Sequence, residues 1–288
     1  MKHYLTTKIG ALVLFALAAA LPVSHVNGQS YPEKKLGWSL SAQTYTFKEF
    51  TFFEAVDKAK SAGLQSVEAY NGQELGGGMA GKFDYKMDAT TQKAILKELR
   101  KKGVKLVAFG VVNGNTEAEW KQLFAFADAM GIQTINSEPK EEFLPLVGQL
   151  ASQYKIKVGI HNHPNPTPYW NPAIVLAAVA KANSDYVGAC ADIGHWVRSG
   201  LDPVACLKQL EGHVKSVHFK DLEAKSPETH DVHWGTGVSN VAGVIAELKR
   251  QGFKGNISAE YEYNWENNTE DVAQSVKNFR QILTAGSL

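Results

Sequence analysis

The sequence predicts a single (β/α)8 barrel of the α/β class, and two patterns support this prediction. Short apolar runs alternate with helical patterns along residues 29–288. The runs are continuously apolar, which is typical of parallel strands that are covered on both faces. The eight predicted strands are Leu36–Tyr45, Leu64–Tyr70, Val104–Val112, Ile132–Ser137, Lys157–Asn162, Tyr186–Asp192, Val214–Lys220 and Asn256–Tyr261.

The segments between the strands have the periodicity of amphipathic helices. Apolar residues recur at spacings of three and four, as in Phe52, Val56 and Ala59. Glycines close several of these patterns just before a strand, where a left-handed residue ends a helix. These glycines are Gly63, Gly103, Gly131, Gly212 and Gly252.

A doubly wound open sheet is the alternative architecture. No G-x-G-x-x-G follows the first strand, and no Walker A sequence is present. The run Gly76-Gly77-Gly78 lacks the lysine and the helix start that phosphate binding needs, so we interpret it as a flexible loop. Eight strand–helix units therefore favour the closed barrel.

The first 28 residues have the layout of a secretory signal peptide. Lys2 and Lys8 give a positive start, the apolar run Ile9–Val23 follows, and small or polar residues come next. This run is shorter than the roughly 20 residues of a membrane span. We therefore expect an exported protein, periplasmic or secreted, that leaves the membrane on signal cleavage and whose barrel domain occupies residues 29–288.

The composition is that of an ordinary soluble protein, with 44% hydrophobic and 20% charged residues. Without residues 1–28 the formal net charge at pH 7 is −1 with histidine neutral. Such a balance does not attract nucleic acid or an anionic membrane, so neither is expected as a partner. Cys190 and Cys206 lie in apolar contexts and are expected to be buried thiols, with a disulfide as the alternative. The oligomeric state is left open, a homo-oligomer included.

Acidic and imidazole side chains lie at the ends of several predicted strands. Glu138, Asp192, His218 and Glu260 end the fourth, sixth, seventh and eighth strands. Because the carboxyl ends of barrel strands meet at one mouth, we expect these four side chains to converge. Three carboxylates and an imidazole would repel one another or stay unsatisfied without a cation. We therefore predict one divalent metal ion; the hard donor set favours Mn²⁺, Mg²⁺ or Co²⁺, and Zn²⁺ and Fe²⁺ are compatible.

The segments around these residues resemble those of a known family. Ile160-His161-Asn162-His163, Asp192-Ile193-Gly194-His195-Trp196, His218-Phe219-Lys220-Asp221 and Glu260-Tyr261-Glu262 are similar to segments of the xylose-isomerase-like sugar phosphate isomerase/epimerase barrels. The resemblance extends from Trp38 to about Leu283. It implies a (β/α)8 barrel that holds one divalent ion through Glu138, Asp192, His218 and Glu260.

The resemblance also implies catalytic roles for two of these carboxylates. In ketose 3-epimerases of that superfamily, the first and last carboxylates move protons on opposite faces of a sugar carbon, which makes Glu138 and Glu260 the catalytic candidates. A metal bound to the carbonyl and a neighbouring hydroxyl stabilises the enediolate. The alternative is that both carboxylates are only ligands and that His163 or Lys220 is the base.

Further residues are predicted to contact the substrate. His195 resembles the family histidine that contacts substrate oxygens, and a turn-stabilising role is the alternative. By resemblance to the family, we expect His161 in the pocket and His163 near the rim. Lys220 is expected either to reach a substrate oxygen or to pair with a neighbouring carboxylate. The remaining candidates, by resemblance, are Glu68 at the end of the second strand and His233 in the loop after the seventh.

Four functions are compatible with this pattern. The first is an isomerase or epimerase of an unphosphorylated carbohydrate, since sugar phosphates are cytoplasmic and no arginine cluster is present. The second is a lyase or hydratase that eliminates a β-leaving group from a 3-keto-glycoside or keto-polyol, as in inosose dehydratase-like relatives. The third is a non-catalytic carbohydrate-binding protein. The fourth, an endonuclease of the same superfamily, is disfavoured by the net charge of −1 and the export signal.

Overall fold

Parallel strands pair in a closed ring, which confirms the predicted fold class. The structure is a computed structural model and describes Met1 and residues 31–285, so the predicted signal peptide lies outside the described residues and stays a prediction. The strands are β1 (Trp38–Gln43), β2 (Ser66–Ala69), β3 (Gln73–Gly76), β4 (Met79–Phe83), β5 (Lys105–Phe109), β6 (Thr134–Ser137), β7 (Lys157–His161), β8 (Val187–Asp192), β9 (Val214–Phe219) and β10 (Gly255–Ala259). The barrel has the order β1-β10-β9-β8-β7-β6-β5-β2, with every pairing parallel, and β3 and β4 form a separate hairpin.

Helices follow the barrel strands and cover the outside of the ring. They are α1 (Phe52–Ser61), α2 (Ala89–Lys102), α3 (Glu117–Met130), α4 (Leu144–Tyr154), α5 (Pro172–Ala182), α6 (Ile193–Arg198), α7 (Pro203–Gln209), α8 (Val241–Arg250) and α9 (Thr269–Ala285). Short 3-10 turns occupy Pro32–Leu36, Thr44–Phe47 and Glu141–Phe143. All five glycines predicted to end helices have positive φ, between 64° and 84°. The glycines in the sequence therefore mark the ends of five of the nine described helices, to within three residues.

The loop expected at Gly76-Gly77-Gly78 is a tight turn of a hairpin. Gly76 ends β3, and Gly77 and Gly78 connect it to β4, in the segment that follows β2. Gly77 has a φ of +58°, and a Cβ at this position would lie 2.8 Å from the ring of Phe53. The turn therefore packs against α1, and glycine is required by both the backbone conformation and the close approach.

Hydrogen-bonded polar side chains fill part of the barrel interior. The Ser41 hydroxyl donates to Asn256 Oδ1 at 2.7 Å, and Asn256 Nδ2 donates to the Ser258 hydroxyl at 2.7 Å. Ser216 donates to Asn136 Oδ1 at 2.5 Å. Barrels of this architecture are commonly filled by branched apolar residues, so a buried polar layer is a departure that needs every member to have a partner. This layer forms the floor under the strand ends.

The state of the two cysteines agrees with the expectation from the sequence. Cys190 and Cys206 are both free and buried, as predicted. Among the described residues, none of the helices is long and apolar enough to cross a membrane.

A buried ion pair joins the beginning of the described chain to its last helix. Glu33 is only 2% exposed, and its carboxylate accepts from Arg280 Nη2 at 2.8 Å and from Arg280 Nε at 3.2 Å. The same guanidinium donates to the Gly63 carbonyl at 3.1 Å. The pair thus ties α9 to the segment that precedes β1.

We expect Glu33→Ala to lower the free energy of unfolding by about 3 kcal/mol, because removal of one partner leaves a buried charge uncompensated. Urea denaturation monitored by circular dichroism measures the change. Glu211→Ala is the matched control, since Glu211 pairs with Arg250 at the exposed surface. Equal stability losses in the two variants would contradict a special role for the buried pair.

Candidate metal centre and active site

Four buried side chains converge at the carboxyl end of the barrel. The nearest donor atoms of His161, Asp192, His218 and Glu260 all lie within 4.8 Å of one another. These residues are contributed by β7, β8, β9 and the position directly after β10. Three of them belong to the predicted set of metal ligands, whereas His161 stands where Glu138 was predicted. We refer to these four residues as the His–Asp–His–Glu group.

Glu138 lies on the far side of the His161 ring from this group. Its Oε1 accepts from His161 Nδ1 at 3.1 Å and also from His163 Nδ1, whereas His161 Nε2 lies 3.5 Å from Asp192 Oδ2. Burial would raise the pKa of Glu138, but the two imidazole hydrogen bonds outweigh it and lower the pKa to about 2. In this structure an imidazole ring thus separates Glu138 from Asp192, and the role of Glu138 as a ligand of the ion stays a prediction.

Each imidazole of the group is held by a carboxylate behind it. Glu138 accepts from His161 Nδ1, and Glu68 Oε1 lies 3.0 Å from His218 Nε2. The other nitrogens are buried and face the carboxylates of the group: His218 Nδ1 lies 2.9 Å from Glu260 Oε2 and His161 Nε2 lies 3.5 Å from Asp192 Oδ2, neither in well-aligned hydrogen-bond geometry. Histidines that ligate metals commonly carry a carboxylate on the second nitrogen, which fixes the tautomer and orients the ring. A set of two imidazoles and two carboxylates, with one nitrogen of each imidazole facing the carboxylates, therefore fits a divalent ion such as Zn²⁺, Co²⁺, Mn²⁺ or Fe²⁺.

Glu68 is inside the barrel rather than at its mouth. It is fully buried and, besides its contact with His218, accepts from Asn136 Nδ2 at 2.7 Å and from the Ser258 hydroxyl at 2.5 Å. Since both oxygens are occupied by the polar layer, the predicted contact of Glu68 with substrate is not supported. Its position makes it the residue that holds the His218 ring.

The ammonium group of Lys220 lies between two carboxylates of the group. Lys220 Nζ donates to Asp192 Oδ2 at 2.6 Å and to Glu260 Oε2, and the side chain is fully buried. Burial alone would lower the pKa of Lys220, but the carboxylates outweigh it and raise the pKa above its usual value. Burial likewise opposes the ionisation of Glu260, yet Lys220 and His218 hold its pKa well below the ordinary value. The carboxylates are thus neutralised by Lys220, so their mutual repulsion does not by itself require a metal.

The Asp-x-Gly-His segment has a structural explanation. Asp192 Oδ1 accepts from the His195 backbone N–H at 2.8 Å and so caps α6. A Cβ at Gly194 would lie 2.6 Å from Lys220 Cβ, so only glycine leaves room for the lysine to pass. The motif therefore positions three side chains: the Asp192 carboxylate, Lys220, which donates to it, and His195 in the first turn of α6.

His195 and His163 differ in their access to solvent. His195 is buried, its Nδ1 lies 3.1 Å from Arg198 Nη1, and burial holds its pKa well below the ordinary value, so it is a neutral acceptor of the arginine N–H. The His163 side chain is 42% exposed, and its ring contacts the His161 ring edge-to-face with centroids 4.6 Å apart. The predicted arrangement of His161 inward and His163 at the rim agrees with these positions, and the substrate contacts of all three histidines stay predictions.

One residue in the region after β9 has a role that the sequence did not reveal. Asp221 is buried, and its carboxylate accepts backbone N–H groups of Leu222, Gly235, Gly237 and Ser239 at 2.8–3.1 Å. It therefore organises the loop that follows β9, rather than pairing with Lys220. A glycine pattern downstream, Gly235-Thr236-Gly237, is the signal that could have indicated such an anion-binding loop.

His233 and Arg198 complete the surroundings. His233 Nε2 pairs with Asp271 Oδ1 of α9 at 2.9 Å, and its contact with substrate stays a prediction. Arg198 was not singled out from the sequence, yet it donates to Glu262 Oε2 at 2.6 Å and lies beside His195. Its position at the end of α6, about one turn beyond His195, brings it to the mouth.

Comparison with known proteins decides the family. The chain matches the profile of the xylose isomerase-like TIM barrels over residues 56–282. The chain belongs to this family.

Members of the xylose isomerase-like family are similar to this chain in sequence and in structure. An inosose dehydratase from Lacticaseibacillus casei is 25% identical over 241 residues, which cover 73% of this chain and 75% of that protein. An uncharacterised protein from Parabacteroides distasonis is 35% identical to this chain in sequence. Its crystal structure superimposes with a TM-score of 0.70, and the match covers 85% of this chain and 98% of that one. The IolI protein, solved with a bound zinc atom, has a TM-score of 0.66 at 15% identity, with 86% and 98% covered, and shows the shared fold.

We expect His161→Ala and His218→Ala to lose bound divalent metal, because each removes a donor nitrogen of the group. Glu68→Gln should weaken metal affinity by roughly 10–100-fold, the usual effect of removing the partner behind a ligating histidine. Elemental analysis after dialysis and isothermal titration measure these losses. His213→Ala is the control, since His213 lies at the opposite, amino end of β9. Full metal retention in both histidine variants would contradict the assignment.

Proposed function

We propose that the chain is a divalent-metal-dependent enzyme that removes a proton beside the carbonyl of a small unphosphorylated carbohydrate or polyol and then expels a β-hydroxyl or another β-leaving group. The observation that carries this proposal is the hydrogen-bonded pair of Glu138 and His163, next to the buried His–Asp–His–Glu group. It combines a proton-transfer group at the rim with a metal-competent group beneath it.

The His–Asp–His–Glu group would hold the ion. When bound, the ion supplies electrostatic stabilisation of negative charge on a carbonyl oxygen, which makes the neighbouring C–H acidic. Nδ1 of the neutral His195 imidazole faces Arg198, so the proton is on Nε2, which lies 3.6 Å from Asp192 Oδ2 and could donate to a substrate oxygen.

His163 is the residue best suited to move the proton. Glu138 accepts from its Nδ1, which leaves Nε2 of this half-exposed ring for the substrate. A carboxylate behind an imidazole is the arrangement that orients a general base and stabilises its cation. Glu138 itself, with a pKa of about 2, is a weak base, and this favours an orienting role over the predicted role of proton carrier.

The one-sided position of this pair favours elimination over epimerisation. Epimerisation requires proton exchange on both faces of one carbon, and the predicted second group was Glu260. That carboxylate is held ionised by Lys220 and His218, so it has no proton to return. Elimination needs only that His163 takes the proton from carbon and returns it to the departing hydroxyl, with a double bond formed and water released. The sequence similarity to an inosose dehydratase supports the same reaction class.

The charges around the site support an unphosphorylated substrate. Among the described residues, the cations nearest the group are Lys220 and Arg198, and both are paired with carboxylates. A phosphate group would have to break these pairs. The export inferred from residues 1–28 leads to the same substrate class, because sugar phosphates are cytoplasmic metabolites.

An isomerase or epimerase is the second candidate. Glu138 and Glu260 both lie at the carboxyl end of the barrel, on different strands of the ring, as the predicted two-carboxylate mechanism requires. In that case a proton returns to carbon and nothing is lost from the substrate.

We expect the metal-loaded protein in D₂O to release water or an aglycone from at least one member of a panel of ketoses, inososes and 3-keto-glycosides. Nuclear magnetic resonance and mass spectrometry measure deuterium incorporation and loss of the leaving group together. Deuterium in recovered sugar without any elimination would identify the second candidate. Tight binding of a sugar with neither exchange nor elimination would indicate a carbohydrate-binding protein.

His163→Ala should lower the elimination rate by ~10²–10⁴-fold, the usual contribution of a positioned acid–base group, while metal content stays unchanged. Glu138→Gln should lower the rate as well, because the orienting carboxylate is lost. Glu260→Gln should instead reduce metal retention. Single-turnover kinetics and elemental analysis separate the two effects, and a rate unchanged by His163→Ala would remove this residue from the mechanism.

A further inference from the structure

Cys190 lies directly beneath the two histidines of the metal-competent group. It is two residues before Asp192 on β8, so its side chain points to the same inner side of the barrel. Its Cα is the register partner of His161 on β7. The Sγ atom and the nearest nitrogens of His161 and His218 all lie within 4.8 Å of one another.

All three side chains are shielded from solvent. Cys190 and His218 are fully buried, and His161 is 1% exposed. His161 Nε2 and His218 Nδ1 make no well-aligned hydrogen bond, although they lie 3.5 Å from Asp192 Oδ2 and 2.9 Å from Glu260 Oε2, so both imidazoles can take a ligand. The thiol thus adds a third donor beside the two imidazoles.

The carboxylates of the group are already engaged. Lys220 donates to Asp192 and to Glu260, and Asp192 also caps α6 through its other oxygen. An ion that uses only the carboxylates must compete with an ammonium group at the same oxygens. An ion that binds on the thiol side meets no such cation among these contacts.

We propose that His161, Cys190 and His218 form a thiolate-containing site for a borderline or soft divalent cation such as Zn²⁺, Co²⁺ or Cd²⁺, one layer deeper in the barrel than Asp192 and Glu260. Soft thiolate and imidazole donors select such ions over Mg²⁺ and Mn²⁺. On binding, the S–H bond breaks, a sulfur–metal bond forms, the proton leaves to solvent, and no oxidation state changes. This site shares His161 and His218 with the His–Asp–His–Glu group, so the two sites exclude each other, and the thiol side is the position for a softer ion.

Cobalt titration of the full chain after chelator treatment tests the proposal. Thiolate-bound Co²⁺ has a ligand-to-metal charge-transfer band in the near ultraviolet, in addition to visible d–d bands. We expect both bands in the wild type. Cys206→Ser is the matched control, because Cys206 is the other buried thiol and lies on α7, and it should keep both bands.

Cys190→Ser should lose the charge-transfer band and bind Co²⁺ at least ~10-fold more weakly. Removing the partner behind a ligating histidine already weakens metal affinity by roughly 10-fold, and removing a ligand should weaken it at least as much. Mn²⁺ binding, followed by electron paramagnetic resonance, should be unchanged in this variant. A wild type that does not bind Co²⁺, bound Co²⁺ without the charge-transfer band, or a band that persists in Cys190→Ser would each overturn the site.

Cadmium NMR of the wild type gives a second readout that does not depend on the folding of a variant. We expect a resonance in the downfield range of cadmium bound to sulfur. A resonance in the range of nitrogen and oxygen donors alone would overturn the proposal. Failure of the D₂O experiment would leave both spectroscopic results unaffected, so the two proposals fail independently.

Discussion

A buried lysine between two buried carboxylates is the interaction on which the mouth of the barrel depends. Lys220 is fully buried and bonds to Asp192 and to Glu260, which come from the strands on either side of its own. Removing one partner of such a set leaves an uncompensated charge in the protein interior, which is far more costly than losing a surface pair. Three adjacent strands are therefore held at fixed positions, and Gly194 provides the space that makes this contact possible.

The fold and the convergence of the strand ends could be predicted because both depend on local patterns. Apolar runs, helical periodicity and cap glycines are properties of short segments, and parallel strands bring their carboxyl ends together whatever the sequence between them. His161 was expected in the pocket from the family resemblance, and the structure sets its Nε2 3.5 Å from Asp192 Oδ2. Glu138 was predicted as a ligand from its place at the end of the fourth strand and from the same resemblance, and that role stays a prediction.

The partners of the buried polar residues could not be predicted, since they are set by tertiary contacts between distant parts of the chain. Glu68 and His218 are 150 residues apart in sequence, yet they share a hydrogen bond inside the barrel. A glutamate at the end of a strand has the same local signature whether it faces the mouth or the interior, so its burial was beyond the reach of the sequence.

The loop after β9 is anchored by a single side chain at both of its ends. The Asp221 carboxylate accepts from Leu222 at the start of the loop and from Gly235, Gly237 and Ser239 near its end. The intervening stretch 223–230 is mostly exposed and contributes little to this anchor. Substitutions, insertions or deletions there can accumulate without loosening the scaffold, so this stretch is where descendants of one ancestral barrel can acquire new substrates at little cost in folding.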